Sequence, residues 1–204
     1  SRPESIALLR QLAGPDRADA DDDLDEIADR LGDLPLALDL AGKYLADRPG
    51  LSPTNYLDEL KKAELEHESM EDWTEDSPPG HETSLGATFA LSLDRLADNE
   101  AGKMAQELFK FCRYLAADSP IPRPVLHAVS ATDENEGGGR VDRGVRDLVK
   151  LGLLSLGPDG PVIHALLGAY ARGLDAIEER EAMNRVLDAL ARLSTEANNS
   201  GLPA

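Results

Sequence analysis

The chain has 204 residues and carries 39 Asp and Glu against 21 Lys and Arg, a formal net charge of −18. That charge disfavours any whole-molecule affinity for nucleic acid or an anionic lipid surface, and the single cysteine excludes an internal disulfide framework. Hydrophobic residues make up 41% and aromatics only 4%, with Leu and Ala dominant, so the expectation is a mainly α chain of two modules.

No apolar run is long enough to span a bilayer and no signal-peptide pattern opens the chain. These features predict a soluble, cytoplasmic protein without a membrane partner, and the abundance of Ala, Asp, Arg and Gly points to a bacterial source.

Residues 1–68 read as four tightly joined helices forming a small bundle. Ile6, Leu8, Leu9 and Leu12 line the first, which Gly14-Pro15 stops; Leu24, Ile27, Ala28 and Leu31 line the second at i, i+3, i+4, i+7 spacing. The aspartates of 19–23 sit at the start of that second helix, where they favour its dipole. Gly32 then ends it and Pro35 opens the third, lined by Ala37, Leu40, Ala41, Tyr44 and Leu45. After Pro49-Gly50, Ser52-Pro53 caps and opens the fourth helix, through Tyr56, Leu57, Leu60 and Leu65.

Between 69 and 82 the sequence SMEDWTEDSPPGHE turns acidic, loses periodicity and contains Pro78-Pro79-Gly80, which predicts a linker, with Trp73 as a packing anchor. A second module is expected over 83–177. Leu85, Phe89, Leu93 and Leu96 make one helical face; Ala101, Ala105, Leu108, Phe109, Cys112 and Leu115 make the next, with Cys112 a core residue rather than a nucleophile. Pro120, Pro122 and Pro124 lead into a short helix near Val125 to Val129, EGGGR reads as a loop, and a helix follows from about Val141 to Leu151. Two short apolar segments around Gly157-Pro158-Asp159-Gly160 predict a β-hairpin, and a hairpin after three helices is the outline of a winged helix. Two further helices run from His164 to about Ala171 and from Glu179 to Leu193, the stretch 178–204 leading toward a further region.

LGDLPLALDLAGKYL at 31–45, then SLGATFALSLDRL, SPIPRPVL, LVKLGLLS and VIHALLGAYAR, in that order, resemble the second half of the NB-ARC module of STAND-class signal-transduction NTPases, in its bacterial branch. The resemblance spans residue 1 to about 177. It implies that a G-x-P turn places its proline against adenine and that a winged-helix histidine touches the β-phosphate of ADP. Carried onto this sequence, those residues are Gly32, Leu34, Pro35 and His164. It further implies a non-catalytic regulatory portion of an ADP/ATP signalling switch, closing over the nucleotide and controlling activation or self-assembly.

The departures carry information too. ATP chemistry needs a Gly-rich phosphate loop ending in Lys-Ser/Thr and an acidic strand end for Mg²⁺, and neither is present in these 204 residues. The expectation is therefore that the chain is part of a longer protein, that ADP or ATP with Mg²⁺ belongs to the whole, and that the missing nucleotide-binding core is the main partner. Ile163-His164-Ala165 stands where plant members of that family have Met-His-Asp, so the resemblance carries over the histidine and not the aspartate.

Two other classes fit the sequence less well. Arg140, Arg143, Arg146 and Lys150 form a local basic stripe on the helix that a DNA-binding winged helix would insert, but Asp142 and Asp147 share that helix and no Asn or Gln is present to read adenine. A free-standing hydrolase lacks a recognisable nucleophile, base and orienting group. His67, His81 and His127 show no metal-ligand spacing with one another or with Cys112, so no metal site is expected.

Overall fold

The computed structural model describes residues 1–14, 21–66, 82–96, 100–130, 134–173 and 176–200. It is mainly helical with one two-stranded antiparallel sheet. By its contacts the chain divides into two units, Ser1–Arg95 with Lys150–Leu153, and Leu96–Val149 with Leu154–Ala204. The acidic segment 69–81, with Trp73, His81 and Pro78-Pro79-Gly80, lies outside the described residues, as do Asp19 and His67.

The first unit holds α1 (Arg2–Ala13), α2 (Asp21–Arg30), α3 (Pro35–Asp47), α4 (Pro53–Glu66) and α5 (Glu82–Asp94). Asp21, Asp22 and Asp23 occupy the first turn of α2 and Arg30 its last, each at the end of the helix dipole that it favours. Ser52 Oγ accepts the Asn55 N–H at 3.1 Å, so Ser52 caps α4 ahead of Pro53. Leu9, Leu24, Ile27, Leu40, Leu45, Tyr56 and Leu60 of the periodic residues are buried and Leu38 joins them, whereas Leu65, expected on the inner face of α4, is exposed. Each buried side chain contributes about 1.5–3 kcal/mol. α1 packs on α3 through Gly42, where a Cβ would meet Leu12 Cβ at 2.5 Å.

The division falls after Arg95, so α5 belongs with the four helices before it, whereas the sequence reading began its second module at 83. The reason is polar as well as apolar. Glu64 on α4, only 8% exposed, accepts both Nε and Nη2 of Arg30 from α2 and the Ser84 hydroxyl from α5 at 2.7 Å. Phe89 and Leu85 of α5 are buried in the same unit. Residues 150–153 also count with this unit: Lys150 pairs with Asp47, and Gly152, at φ 79, lies against Asp39, Leu40 and Lys43 of α3.

The second unit contains α6 (Glu100–Cys112), α7 (Arg123–Val129), α8 (Glu134–Lys150, apart from Lys150 itself), β1 (Ser155–Gly157), β2 (Gly160–Val162), α9 (Ala165–Gly173) and α10 (Ala176–Ser200). The hairpin pairs Ser155 with Val162, Leu156 with Pro161 and Gly157 with Gly160. On the other side of β2 the Ile121 N–H donates to Pro161 O at 2.8 Å and the Asp118 N–H to Ile163 O at 2.9 Å, so the stretch before α7 fixes the hairpin to the helices. Phe109, Cys112, Leu126, Val141, Leu148, Ile163 and Tyr170 form the core.

Two helices run longer than expected. EGGGR lies inside α8 rather than in a loop, and α10 extends beyond Glu179–Leu193 at both ends. A glycine costs about 1 kcal/mol in a helix relative to alanine. Extending a helix that the amphipathic stretch after Val141 has already formed needs no new nucleus, however, and each added residue gains a backbone bond.

Candidate nucleotide-contact residues

The turn at 31–35 is built by backbone bonds that close one helix before the next opens. The Gly32 N–H donates to Asp29 O and the Asp33 N–H to Ala28 O, both at 3.0 Å, the paired bonds of a Schellman motif ending α2. Gly32 at φ 63 and Asp33 at φ 56 are both left-handed, a conformation glycine adopts freely and aspartate tolerates. Leu34 then serves as N-cap of α3 and Pro35 as its first residue, with Leu38 N–H closing the first turn on Leu34 O at 3.0 Å. No side chain caps this helix start.

Arg2 clamps the corner from α1. Its Nε donates to Asp33 Oδ1 at 2.9 Å, its Nη2 to Asp29 Oδ1 at 2.8 Å and its Nη1 to the Asp25 carbonyl at 3.2 Å. Hydrogen bonding from Arg2, then from Ser5, holds the Asp33 carboxyl below its usual range. Pro35 is exposed, while Leu34 and Gly32 are half-buried. The corner therefore presents a donor-free proline ring beside uncapped first-turn amides.

His164 is exposed at the start of α9, directly after β2. Its Nδ1 accepts the Leu166 N–H at 3.2 Å and its carbonyl accepts the Gly168 N–H at 3.0 Å, so the side chain caps α9. An accepting Nδ1 places the proton of the neutral ring on Nε2, which leaves Nε2–H as the donor for any other group. Pro35 belongs to the first unit and His164 to the second.

The basic stripe on α8 is divided in its engagements. Arg140, Arg143 and Arg146 are exposed, and Arg143 Nε donates to Gly139 O at 2.9 Å. Lys150 pairs with Asp47, whose carboxylate, 10% exposed, also takes Arg95 Nε at 2.8 Å. Asp142 on the same helix pairs with Arg123.

Cys112 is buried, and burial pushes its thiol up to about 12. His127 sits half-buried near the end of α7 with a buried Nδ1. Among the described residues no group of three or more His, Cys, Asp or Glu could hold a metal ion, and no helix is long and apolar enough to cross a membrane. Two features are not legible in the sequence. One is Arg113, 2% exposed, which donates Nη1 to Ala171 O at 2.6 Å. The other is a groove holding Arg185 and Arg192 beside Ala128 and Val129. Each joins residues more than fifty positions apart, and no local pattern announces such a pairing.

No protein-family model matches the chain, and the search of curated proteins gives no match.

Proposed function

We propose that the chain is the non-catalytic regulatory portion of an ADP/ATP-dependent signalling switch of the NB-ARC kind, working with a nucleotide-binding core that carries the phosphate loop. The observation that carries the reading is His164. An exposed imidazole, with Nδ1 engaged on its own helix and Nε2–H left as donor, stands at the N-terminal end of α9, where an anion is favoured. Pro35 supports it, since a proline ring without a donor N–H suits the face of a purine and the first amides of α3 lie beside it.

In this reading the core supplies most phosphate donors and the metal-bound chemistry. The present chain contributes Pro35 and His164, with Gly32 and Leu34 shaping the turn. Contacts made only in the ADP state hold the closed form, so exchange to ATP shifts the population toward an open form that signals or self-assembles. The chain alone hydrolyses no ATP, because two edge contacts do not replace a phosphate cradle. Calorimetry tests this division of labour: ADP should bind the protein that joins this chain to such a core and should give no heat with residues 1–204 alone. Micromolar ADP binding by the 204 residues alone contradicts it.

The second reading, a DNA-binding winged helix, draws on the exposed Arg140, Arg143 and Arg146. The pairing of Lys150 with Asp47 weighs against it, as does the net charge of −18. An electrophoretic shift of duplex DNA at physiological salt, abolished when the three arginines are reversed to Glu, would put this reading first.

A further inference from the structure

Arg113 follows α6 in the second unit and is 2% exposed. A guanidinium keeps its proton at any pH a folded protein meets, so its burial is not relieved by neutralisation. The charge needs a counter-charge where it stands. Nη1 donates to Ala171 O in the last turn of α9 at 2.6 Å, where the helix dipole offsets part of the charge. Nε and Nη2 are buried, and among the described residues neither has a hydrogen-bond partner. The two share one edge of the guanidinium, an edge that can hold a carboxylate through two parallel N–H bonds. Arg172 brings a second cation, its Nη1 donating to Arg113 O at 2.9 Å. Among the described residues no carboxylate pairs with either arginine. Tyr114 adds a further donor: its ring centroid lies 4.9 Å from the Arg113 guanidinium carbon, and its hydroxyl is also buried without a partner among the described residues.

We propose that the Nε–Nη2 edge of Arg113 binds one small free carboxylate, of the size of formate, as the counter-ion of that guanidinium. A water molecule accepts the N–H groups but brings no charge, whereas an anion answers both needs. The planar edge selects the class of anion. Two carboxylate oxygens meet two parallel donors, while a halide must share one point between them. Burial selects the size. Both donor atoms are closed off from solvent, so a carboxylate carried on a peptide does not reach them, and a free anion enters only when Arg113 and the end of α9 part locally.

The test is an NMR titration of the 204-residue chain, labelled with ¹³C and ¹⁵N so that the Arg113 Nε–H signal is assigned through its own side chain. Sodium formate replaces sodium chloride at constant ionic strength. Formate should give a second Arg113 Nε–H signal, in slow exchange with the first and growing to saturation, with matching changes at the amides of Arg113, Tyr114, Ala171 and Arg172. Benzoate, which carries the same carboxylate on a bulky ring, should give none. In thermal melts, formate should raise the Tm of the wild type relative to chloride and leave that of Arg113→Met unmoved. Should Arg113→Met fail to fold, the Nε–H signal of the wild type decides alone. An Arg113 Nε–H signal that ignores formate overturns the proposal and leaves those donors to water. A fast-exchange drift shared with exposed arginines, an equal response to benzoate, or a Tm rise of the same size in Arg113→Met also overturns it.

Discussion

Cys112 sits on the inner face of α6 with its thiol fully buried, and desolvation alone raises it to about 12. A thiol held there is protonated at neutral pH and out of reach. A colorimetric thiol reagent at pH 8 should therefore leave the native chain unmodified and titrate one thiol after denaturation; reaction of the native protein within minutes would show that α6 is not packed as described. Asp33 gives a second residue-scale expectation. Its folded-state pKa lies below the usual value because Arg2 donates to it, so the associated stability is complete above the unfolded value of about 3.9 and is lost as pH falls through the lower folded value. Asp33→Asn keeps a residue that tolerates the left-handed backbone, at φ 56, and removes only the charge. Melting temperature should then fall less steeply below pH 4 in the variant than in the wild type, and parallel curves would deny Asp33 this role. Gly32 and Pro35 could be read from sequence because their backbone constraints are local. Arg2 could not, since its partners lie 23 to 31 residues away.

At the scale of elements, the helices with a clear apolar period were legible: α2, α3, α4 and α6 lie where the spacing of leucine, alanine and tyrosine placed them. The hairpin was legible from its turn residues, and β1 and β2 flank Pro158-Asp159 as expected. The α8 glycines misled, because propensity counts a residue's cost but not the helix already formed beside it. The grouping of α5 was hidden for a different reason. Its periodicity gives a face but not the partner of that face, and the bond from Ser84 to Glu64 depends on three elements meeting. Gly42 is the sharpest packing constraint in the first unit. Gly42→Ala sets a methyl group at 2.5 Å from Leu12 Cβ, so α1 and α3 must separate. Overpacking of this kind costs about 1–3 kcal/mol. Urea unfolding should show that loss with an unchanged slope, and Leu12→Gly, which removes the clashing Cβ, should cost less in the Gly42→Ala background than in the wild type. A neutral or stabilising Gly42→Ala would mean that the helices do not meet at this point.

For the whole molecule, charge and composition bounded the class well and the chemistry poorly. The low aromatic content and Leu/Ala richness pointed to a helical protein, and the chain is one. Function depends instead on which exposed groups converge, and the two residues singled out by resemblance, Pro35 and His164, fall in separate units. The measurement that bears most directly on the proposed switch is the ADP and ATP affinity of this chain joined to a phosphate-loop core, compared for wild type, His164→Ala and His164→Asn. His164 caps α9, so alanine removes both the cap and any phosphate contact, whereas asparagine restores a capping oxygen but not the Nε2–H. A contact made only in the closed ADP state is worth about 1–3 kcal/mol, or roughly 5- to 150-fold in affinity. The account predicts that both variants weaken ADP binding within that range, leave ATP binding unchanged and raise basal activity. ADP affinity and basal activity equal in wild type and both variants, or lost with alanine and fully restored with asparagine, would leave His164 a helix cap and contradict the nucleotide switch.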